Sequence, residues 1–293
     1  MKSLFQTIGI TAHSELAGRD QTILDVVRLV EKSGATVYLD PKRCSLPSLK
    51  KYTCYKSVSD VDLLIVIGGD GTILRAIREM KEKPVPILSV NRGRVGFLAE
   101  VPLETMQKDL PLLLSGKGQM EERNLLHVTA MRGKKTLIST HVLNEAVISQ
   151  GAISRLMDLK ASVMGEQLTV FHADGVIIAT PTGSTAYSLA AGGPIVHPTM
   201  KAMILTPINP HSFSQKPLVL PAHQDVSIEV WSKPNKYKDF EVSLTLDGQM
   251  YISLKRGDTV HAKVDGTTVS FVRRKTDTFF DTLRNKLKWG EGL

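Results

Sequence analysis

The feature that most constrains this fold is an aliphatic strand that runs directly into a glycine-rich loop and a helix. Residues 61–80 read VDLLIVIGGDGTILRAIREM. A strand that is apolar on both faces is typical of a parallel sheet covered by helices. Strand and helix patterns alternate through the first hundred residues. The sequence therefore predicts an α/β layer with a parallel sheet at the amino end.

The pattern changes near residue 115, where short strand-like runs separated by turn signals such as Asp247-Gly248 begin. This is typical of an antiparallel β domain, and the tail from Asp277 to Trp289 has the spacing of a helix. A length of 293 residues suits about two domains. We therefore expect an α/β domain over 1–115 and a β-rich, sandwich-like domain over 116–275. The C-terminal helix over 276–293 should pack back on the first domain.

Composition favours an anionic partner without naming one. The formal net charge is +8 and the pI about 9.4. Basic residues are scattered, and aromatics make up only 5%, too few for a single-strand stacking surface. The longest purely aliphatic run, Leu63 to Ile67, is far short of a membrane span. We expect a cytoplasmic protein with no nucleic-acid or membrane partner, and with Cys44 and Cys54 as reduced thiols.

The loop over 68–72, GGDGT, has the composition of a phosphate-binding turn. Glycines let backbone N–H groups approach a phosphate, and the following helix N-terminus adds a favourable dipole. The loop matches neither the P-loop nor the dinucleotide fingerprint. Asp70 could hold a metal that bridges phosphates, accept a proton from a hydroxyl, or cap the helix. Arg75, one turn on, could reach a phosphate or an acidic neighbour, or lie in solvent.

Two further blocks concentrate polar groups next to apolar strands. In residues 180–185, TPTGST, hydroxyls and backbone amides could bind ribose and phosphate oxygens, although such clusters are often plain turns. Asn144 and Glu145 interrupt an apolar strand, where they could bind a ribose diol or an adenine edge, or face solvent. No histidine pattern indicates a metal site. His172 is of interest only because Asp174 lies near it.

Together these blocks resemble the NAD kinase family, the ATP-dependent enzymes that phosphorylate NAD to NADP. The resemblance rests on GGDGT at 68–72, NE at 144–145, TPTGSTAYSLAAGGP at 180–194 and DGQ at 247–249, in matching order. GGDG-type loops also occur in diacylglycerol- and sphingosine-type lipid kinases and in phosphofructokinases. The TPTGSTAY block is the discriminating one.

The resemblance implies a Rossmann-like N-terminal domain, a β-rich C-terminal domain and a homodimer or homotetramer. The γ-phosphoryl group of ATP would pass to the 2′-hydroxyl of the adenosine ribose of NAD, with Mg²⁺ expected. Asp70 would be the proton acceptor, and no residue is assigned as a metal ligand. The substrate-contacting positions would be Gly69, Gly71, Thr72, Arg75, Asn144, Glu145, Arg155, His172, Asp174, Thr185, Ala186, Tyr187, Ser188, Leu189, Ala190 and Gln249.

Two alternatives remain open from the sequence. A lipid kinase could share the GGDGT loop, but it would need an apolar acceptor cleft or a membrane-facing patch, and no amphipathic basic helix is evident. A non-catalytic nucleotide-binding regulator could keep the loops but would have no need of Asp70.

Overall fold

The chain divides into two compact units in the computed structural model, which describes residues 1–13, 19–42, 47–80, 83–91, 96–151, 156–231 and 242–288. The first unit comprises Met1–Glu122 and Val269–Leu293, and the second comprises Arg123–Thr268. The first is α/β and the second is rich in antiparallel strands, and a helix lies near the carboxyl end. The predicted fold class is therefore confirmed.

The chain begins with β1 (Thr7–Ala12), α1 (Arg19–Lys32), β2 (Thr36–Leu39), β3 (Leu63–Ile67), α2 (Asp70–Met80), β4 (Ile87–Asn91), β5 (Val101–Pro102), α3 (Met106–Leu114) and β6 (Gln119–Asn124). It continues with β7 (Leu126–Arg132), β8 (Lys135–Val142), β9 (Glu145–Gln150), β10 (Met157–Val163), β11 (Glu166–Ala173), β12 (Gly175–Ala179), α4 (Tyr187–Ala190), β13 (Ala202–Ile208), β14 (Leu218–Pro221), β15 (Val226–Trp231), β16 (Val242–Leu246), β17 (Met250–Leu254) and β18 (Thr259–Lys263). It ends with β19 (Thr268–Arg273) and α5 (Phe279–Leu287).

The first sheet has the strand order β2-β1-β3-β4-β19-β6, with β5 beside β4. Strand β1 is parallel to β2 and β3, and β4 is parallel to β3 and β19. The carboxyl ends of β1, β3 and β4 therefore share one edge. The chain moves from β1 to β2 on one side and later to β3 on the other. In open parallel sheets, ligands bind outside the strand ends at such a reversal of order.

The second unit is built on two six-stranded sheets, β11-β10-β15-β18-β7-β8 and β14-β13-β12-β9-β16-β17. Burial alternates along β15, as expected for a strand with one face on a core and one in solvent. The main core of this unit draws side chains from both sheets, among them Val128, Leu159, Ile178 and Leu244. The two sheets thus form a sandwich, and their strand ends position the loops described below.

The structure bears on two further expectations from the sequence, the state of the cysteines and the presence of a membrane-spanning helix. Cys54 is disulfide-bonded, so the expectation of two reduced thiols is wrong, and Cys44 lies outside the described residues. In the part of the chain that the structure describes, no helix is long and apolar enough to span a membrane.

A buried carboxylate joins β19 to the segment between β4 and β5. Glu100 is 4% exposed, and its Oε2 lies 2.9 Å from Nε of Arg273, which is 6% exposed. The backbone N–H of Arg274 donates to Oε1 of Glu100 at 2.6 Å. Burial raises the pKa of Glu100, and the Arg273 charge and the Arg274 amide oppose that rise. Because a buried charge is costly without its partner, each member of the pair depends on the other.

We expect Glu100→Ala to lower the free energy of unfolding by about 3–5 kcal/mol, because it leaves Arg273 charged and buried without a counter-ion. Urea unfolding followed by fluorescence measures this loss. The matched control is Arg284→Ala, which breaks the exposed pair with Asp281 and should change the free energy of unfolding far less, because water screens exposed pairs. Equal small losses in the two variants would show that the buried pair does not hold β19.

Candidate functional site

The GGDGT loop turns the chain from the carboxyl end of β3 into helix α2. Gly68 has φ +156°, and a Cβ there would lie 2.5 Å from Oγ1 of Thr72, so only glycine fits. The carbonyl of Gly69 accepts the N–H groups of Thr72 at 2.9 Å and Ile73 at 3.3 Å. Helix α2 therefore starts immediately after Gly69. Its positive N-terminal dipole lies at the ligand-binding edge of the sheet, where it favours an anion.

The carboxylate of Asp70 is held by a second loop rather than by its own helix. Its Oδ2 accepts the N–H of Phe97 at 2.9 Å, and its Oδ1 accepts the N–H of Leu98 at 3.3 Å. The helix-capping alternative is therefore not the arrangement found, because the first-turn amides bond to the Gly69 carbonyl instead. Asp70 is half-buried and lies where the carboxyl ends of β3 and β4 meet.

The other predicted residues of this loop differ in their access to solvent. Gly69 and Gly71 are exposed, and nothing lies within 4 Å of a Cβ built on either. A phosphate could therefore approach the backbone at both positions. Thr72 is buried, and its Oγ1 has no hydrogen-bond partner in the described part of the chain. The Thr72 side chain packs against Gly68 and so helps to set the shape of the loop.

Arg75 is fixed at the carboxyl end of β1. Its Nη2 donates to the carbonyl of Ala12 at 2.9 Å and to Oγ1 of Thr11 at 3.4 Å. The Thr11 hydroxyl donates in turn to Oδ2 of buried Asp40 at 2.6 Å. Tyr55 shares this network, and burial, followed by nearby carboxylate charge, raises the pKa of its phenol. The guanidinium is thus positioned at the same sheet edge as the GGDGT loop.

In the second unit, the Asp247 carboxylate holds the start of β9. It accepts the N–H groups of Leu143 at 2.9 Å, Asn144 at 2.8 Å and Glu145 at 3.1 Å. Asp247 itself lies in a turn after β16 with φ 49°. These three hydrogen bonds to one carboxylate fix the position of Asn144 and Glu145.

The TPTGST turn forms hydrogen bonds to the backbone carbonyls of Leu143 and Asn144, next to Glu145. The N–H of Thr180 donates to the Asn144 carbonyl at 2.8 Å, and the Thr180 hydroxyl donates to the Leu143 carbonyl at 2.5 Å. A Cβ on Gly183 would lie 2.2 Å from the Asn144 carbonyl oxygen, so glycine permits this close approach. The backbone of Asn144 is thereby occupied. Among the described residues, no hydrogen bond involves its half-buried side-chain amide.

Glu145 is a buried carboxyl group with one oxygen available to a ligand. It is 6% exposed, and its Oε2 has no hydrogen-bond partner in the described residues. Burial, and then the charge of Asp247, raise its pKa to about 8, while a backbone N–H bond from Tyr187 acts in the opposite direction. At neutral pH the carboxyl group is therefore mostly protonated. A buried polar atom without a partner is a place where a ligand hydroxyl can bond.

The residues over 185–190 differ in how far their side chains are exposed to solvent. Ser188 is fully buried, and its hydroxyl lies 3.0 Å from that of Thr206, so its side chain fastens the run to β13. Tyr187 is 46% exposed. Thr185, Ala186, Leu189 and Ala190 are half-buried or exposed. Gln249 is exposed in the turn that contains Asp247, and so it lies at the same end of the sheet as Glu145.

Asp174 lies at the opposite end of that sheet, and His172 lies on β11 in the other sheet of the unit. In the β9–β12 register, Glu145 faces Ala179 whereas Ser149 faces Gly175, a separation of four residues or about 13 Å along the strand. Asp174 accepts hydrogen bonds from Gln150 at 3.0 Å and Asn209 at 3.1 Å. His172 bonds through Nδ1 to the buried carboxylate of Asp158. Arg155 lies outside the described residues.

Local sequence patterns did not reveal several of the groups that hold the site residues in place. These are the Thr11–Asp40–Tyr55 network beneath Arg75 and the amides at 97 and 98. The Thr180 hydroxyl, one of the ligand-binding groups expected in residues 180–185, instead donates to the Leu143 carbonyl. The signal that could have found the amides is topological. Parallel strands end at one edge, so the segment after β4 had to approach the loop after β3.

Comparison with known proteins gives matches over both units. The model of the ATP-NAD kinase N-terminal domain matches residues 25–118, and that of the ATP-NAD kinase C-terminal domain matches 143–274. A NAD kinase of Geobacter sulfurreducens is 44% identical over 230 residues, which is 78% of this chain and 79% of that protein.

Two solved structures share the fold. Yeast NADH kinase complexed with NADH has a TM-score of 0.84 and 27% identity, covering 98% of this chain and 89% of that chain. A NAD kinase from Archaeoglobus fulgidus in complex with ATP has a TM-score of 0.73 and 22% identity, covering 97% of this chain and 98% of its own.

Glu145 should give the unfolding free energy a pH dependence of known sign. An unperturbed glutamate ionises near pH 4.5, and Glu145 in the folded chain ionises near pH 8. Between these values the folded state keeps a proton that the unfolded chain has lost, so stability falls as pH rises. Glu145→Gln should remove that decline, as measured by urea unfolding from pH 5 to 9. Glu166→Gln, at an exposed position, is the control. A decline that persists in Glu145→Gln would contradict the assignment.

Proposed function

The chain belongs to the ATP-NAD kinase family and phosphorylates NAD, and we propose that Asp70 accepts the proton of the attacking hydroxyl. The resemblance carried by the sequence motifs is thereby confirmed. The observation that supports the assignment of Asp70 is its position. Its carboxylate lies at the ligand-binding edge of the parallel sheet and on the first residue of helix α2, where phosphates bind favourably.

The transfer itself needs little covalent chemistry from the protein. The 2′-oxygen of the adenosine ribose bonds to the γ-phosphorus of ATP, the bond from that phosphorus to the bridging oxygen breaks, and ADP leaves. The hydroxyl proton passes to a carboxylate oxygen of Asp70. Each carboxylate oxygen has two lone pairs, and one amide bond on each leaves a second position for the hydroxyl. Such proton transfer contributes about 10²–10⁴-fold to rate.

The remaining groups of the first unit suit the polyphosphate. Gly69 and Gly71 expose backbone at the helix N-terminus, and Arg75 adds a positive charge held at the end of β1. Anchoring by Thr11 and Ala12 lowers the entropy lost when the guanidinium engages a ligand. We propose that these residues bind and orient the phosphates.

A divalent cation fits this arrangement as part of the ATP complex. Within the described residues, no three His, Cys, Asp or Glu side chains are grouped to ligate a metal. Mg²⁺ in kinases is typically held by one or two carboxylates together with substrate phosphates. We propose that the cation arrives on the phosphates of ATP, where it neutralises their charge.

The dinucleotide is the ligand that we assign to Asn144 and Glu145. The spare oxygen of Glu145 and the amide of Asn144 can bond ribose hydroxyls. A protonated Glu145 also avoids repelling the pyrophosphate of NAD, which a buried carboxylate would do. Thr185 to Ala190 and Gln249, at the same end of the sheet, complete the proposed surface.

Assembly and location stay predictions. We propose a homodimer or homotetramer, on the family resemblance and on the open edges of the β-rich unit. The edge strand β14 leaves Leu218 and Val219 exposed, and exposed apolar edges favour pairing with another chain.

Arg155, His172 and Asp174 are proposed substrate contacts on the resemblance alone. The cytoplasmic location stays an expectation from the sequence.

Nothing in the comparisons reported above favours a lipid acceptor. An assay that measures ADP release with NAD, NADH, diacylglycerol or no acceptor tests the acceptor directly. We expect turnover to depend on the dinucleotide, and turnover with diacylglycerol alone would contradict the assignment.

We expect Asp70→Asn to lower kcat by roughly 10²–10⁴-fold, because an amide cannot accept the proton at neutral pH. NAD binding, measured by calorimetry, should persist. Stability should fall slightly, by about 0.5–1.5 kcal/mol, since the Asn amide group faces one of the two backbone donors.

A metal titration of Asp70→Asn separates proton transfer from metal binding. A proton-acceptor role predicts no rescue by Mg²⁺ or Mn²⁺, and a metal-ligand role predicts partial rescue at high concentration. Near-wild-type turnover in Asp70→Asn would reject both roles and would leave Asp70 a purely structural one.

We expect Asn144→Ala to raise the KM for NAD several-fold and to leave the KM for ATP nearly unchanged. The loss of one hydrogen bond to a neutral partner costs about 0.5–1.5 kcal/mol. Steady-state kinetics with each substrate varied in turn measure both constants. A shift in the ATP constant alone would place this residue with the donor.

A further inference from the structure

We propose that Gly96, Phe97 and Leu98 are positioning residues that aim the Asp70 carboxylate at the reacting hydroxyl. This inference rests on the proposed role of Asp70 as proton acceptor. The segment 96–98 supplies two backbone donors, and each takes one oxygen of the carboxylate. Two such bonds fix both the rotation and the tilt of the carboxylate plane.

Gly96 allows this contact because it has no side chain. A Cβ built on Gly96 would lie 1.8 Å from Oδ1 and 2.4 Å from Oδ2 of Asp70. That separation is far below any van der Waals contact, so any side chain there must displace the carboxylate. The three atoms nearest to that Cβ all belong to the Asp70 side chain, so the effect of alanine would fall on that carboxylate.

The segment is itself held by the neighbouring strand. Ser89 on β4 is 1% exposed, and its hydroxyl donates to the Leu98 carbonyl at 3.2 Å and accepts the N–H of Glu100 at 2.9 Å. Val101 then pairs with Val90 in parallel register. The amides at 97 and 98 are thus anchored to the sheet through β4, one strand away from the GGDGT loop.

The consequence for catalysis follows from how sharply proton transfer depends on geometry. A misplacement of about 1 Å costs on the order of 10²-fold in rate. Gly96→Ala must move the carboxylate by at least that order to relieve the contact. It should therefore lower kcat at least tenfold while the KM for NAD, set by the Asn144 and Glu145 cluster, changes little.

The test is a double-mutant cycle of Gly96→Ala and Asp70→Asn, with kcat and both KM values measured for each variant. We expect Gly96→Ala to lower kcat in the wild-type background and to change it less than about threefold in the Asp70→Asn background. Gly118→Ala is the steric control, because its Cβ would lie 2.7 Å from the Arg273 carbonyl oxygen and away from Asp70. It should lower Tm and leave kcat per folded molecule unchanged.

The outcomes separate this inference from the function on which it rests. Near-wild-type turnover in Asp70→Asn would overturn the proton-acceptor role and this inference with it. A large loss of kcat in Asp70→Asn, together with unchanged or raised kcat in Gly96→Ala, would overturn only the inference. The inference would also fall if the double variant lost kcat by the product of the two single-variant losses. If Gly96→Ala does not fold, Ser89→Ala tests the same anchor in the same cycle. For Ser89→Ala, a loss of at least a few-fold in kcat that vanishes in the Asp70→Asn background supports the inference, and an unchanged kcat or a loss that persists in that background overturns it.

Discussion

Backbone N–H groups that donate to aspartate carboxylates hold both candidate clusters in place. Asp70 accepts two amides from the segment after β4, and Asp247 accepts three from the start of β9. Hydrogen bonds to a charged acceptor are stronger than neutral ones, and they satisfy loop donors that have no strand partner. Each cluster is thus pre-organised by a short acidic side chain at the end of a sheet. Such pre-organisation lowers the cost of binding a ligand there.

The two clusters place their carboxyl groups in different environments. Asp70 is half-buried beside a helix N-terminus and bonded by amides, an environment that suits a charged proton acceptor. Glu145 is buried beside Asp247 with one oxygen lacking a partner, which raises its pKa to about 8. In the proposed mechanism Asp70 takes the proton, and Glu145, whose pKa is raised, lies close to a polyanion without repelling it. This division of roles depends on burial and neighbours rather than on residue type.

The local signals in the sequence predicted much of the fold and the site. The alternation of strand and helix patterns predicted the α/β unit, and in α1 the helically spaced Ile23, Val26, Val27 and Val30 are all buried in its core. The aliphatic run before GGDGT predicted a strand buried on both faces, and β3 is fully buried. Local patterns could not predict that β19 would pair with β4, with Phe271 opposite Ile87. Strand pairing between distant segments is decided by long-range packing, and no local pattern encodes it.

The sequence by itself determined which chemistry is available, because glycine spacing, a carboxylate and paired polar residues are properties of the chain. The motifs were sufficient to indicate an NAD kinase and to single out Asp70, Asn144 and Glu145. Only the tertiary structure decided how those groups are used. The side of Asp70 that remains open is set by the amides of Phe97 and Leu98, and the protonation of Glu145 is set by burial next to Asp247. The reason is physical: hydrogen-bond partners and desolvation arise from segments that meet only after folding, and both decide what a carboxyl group can do.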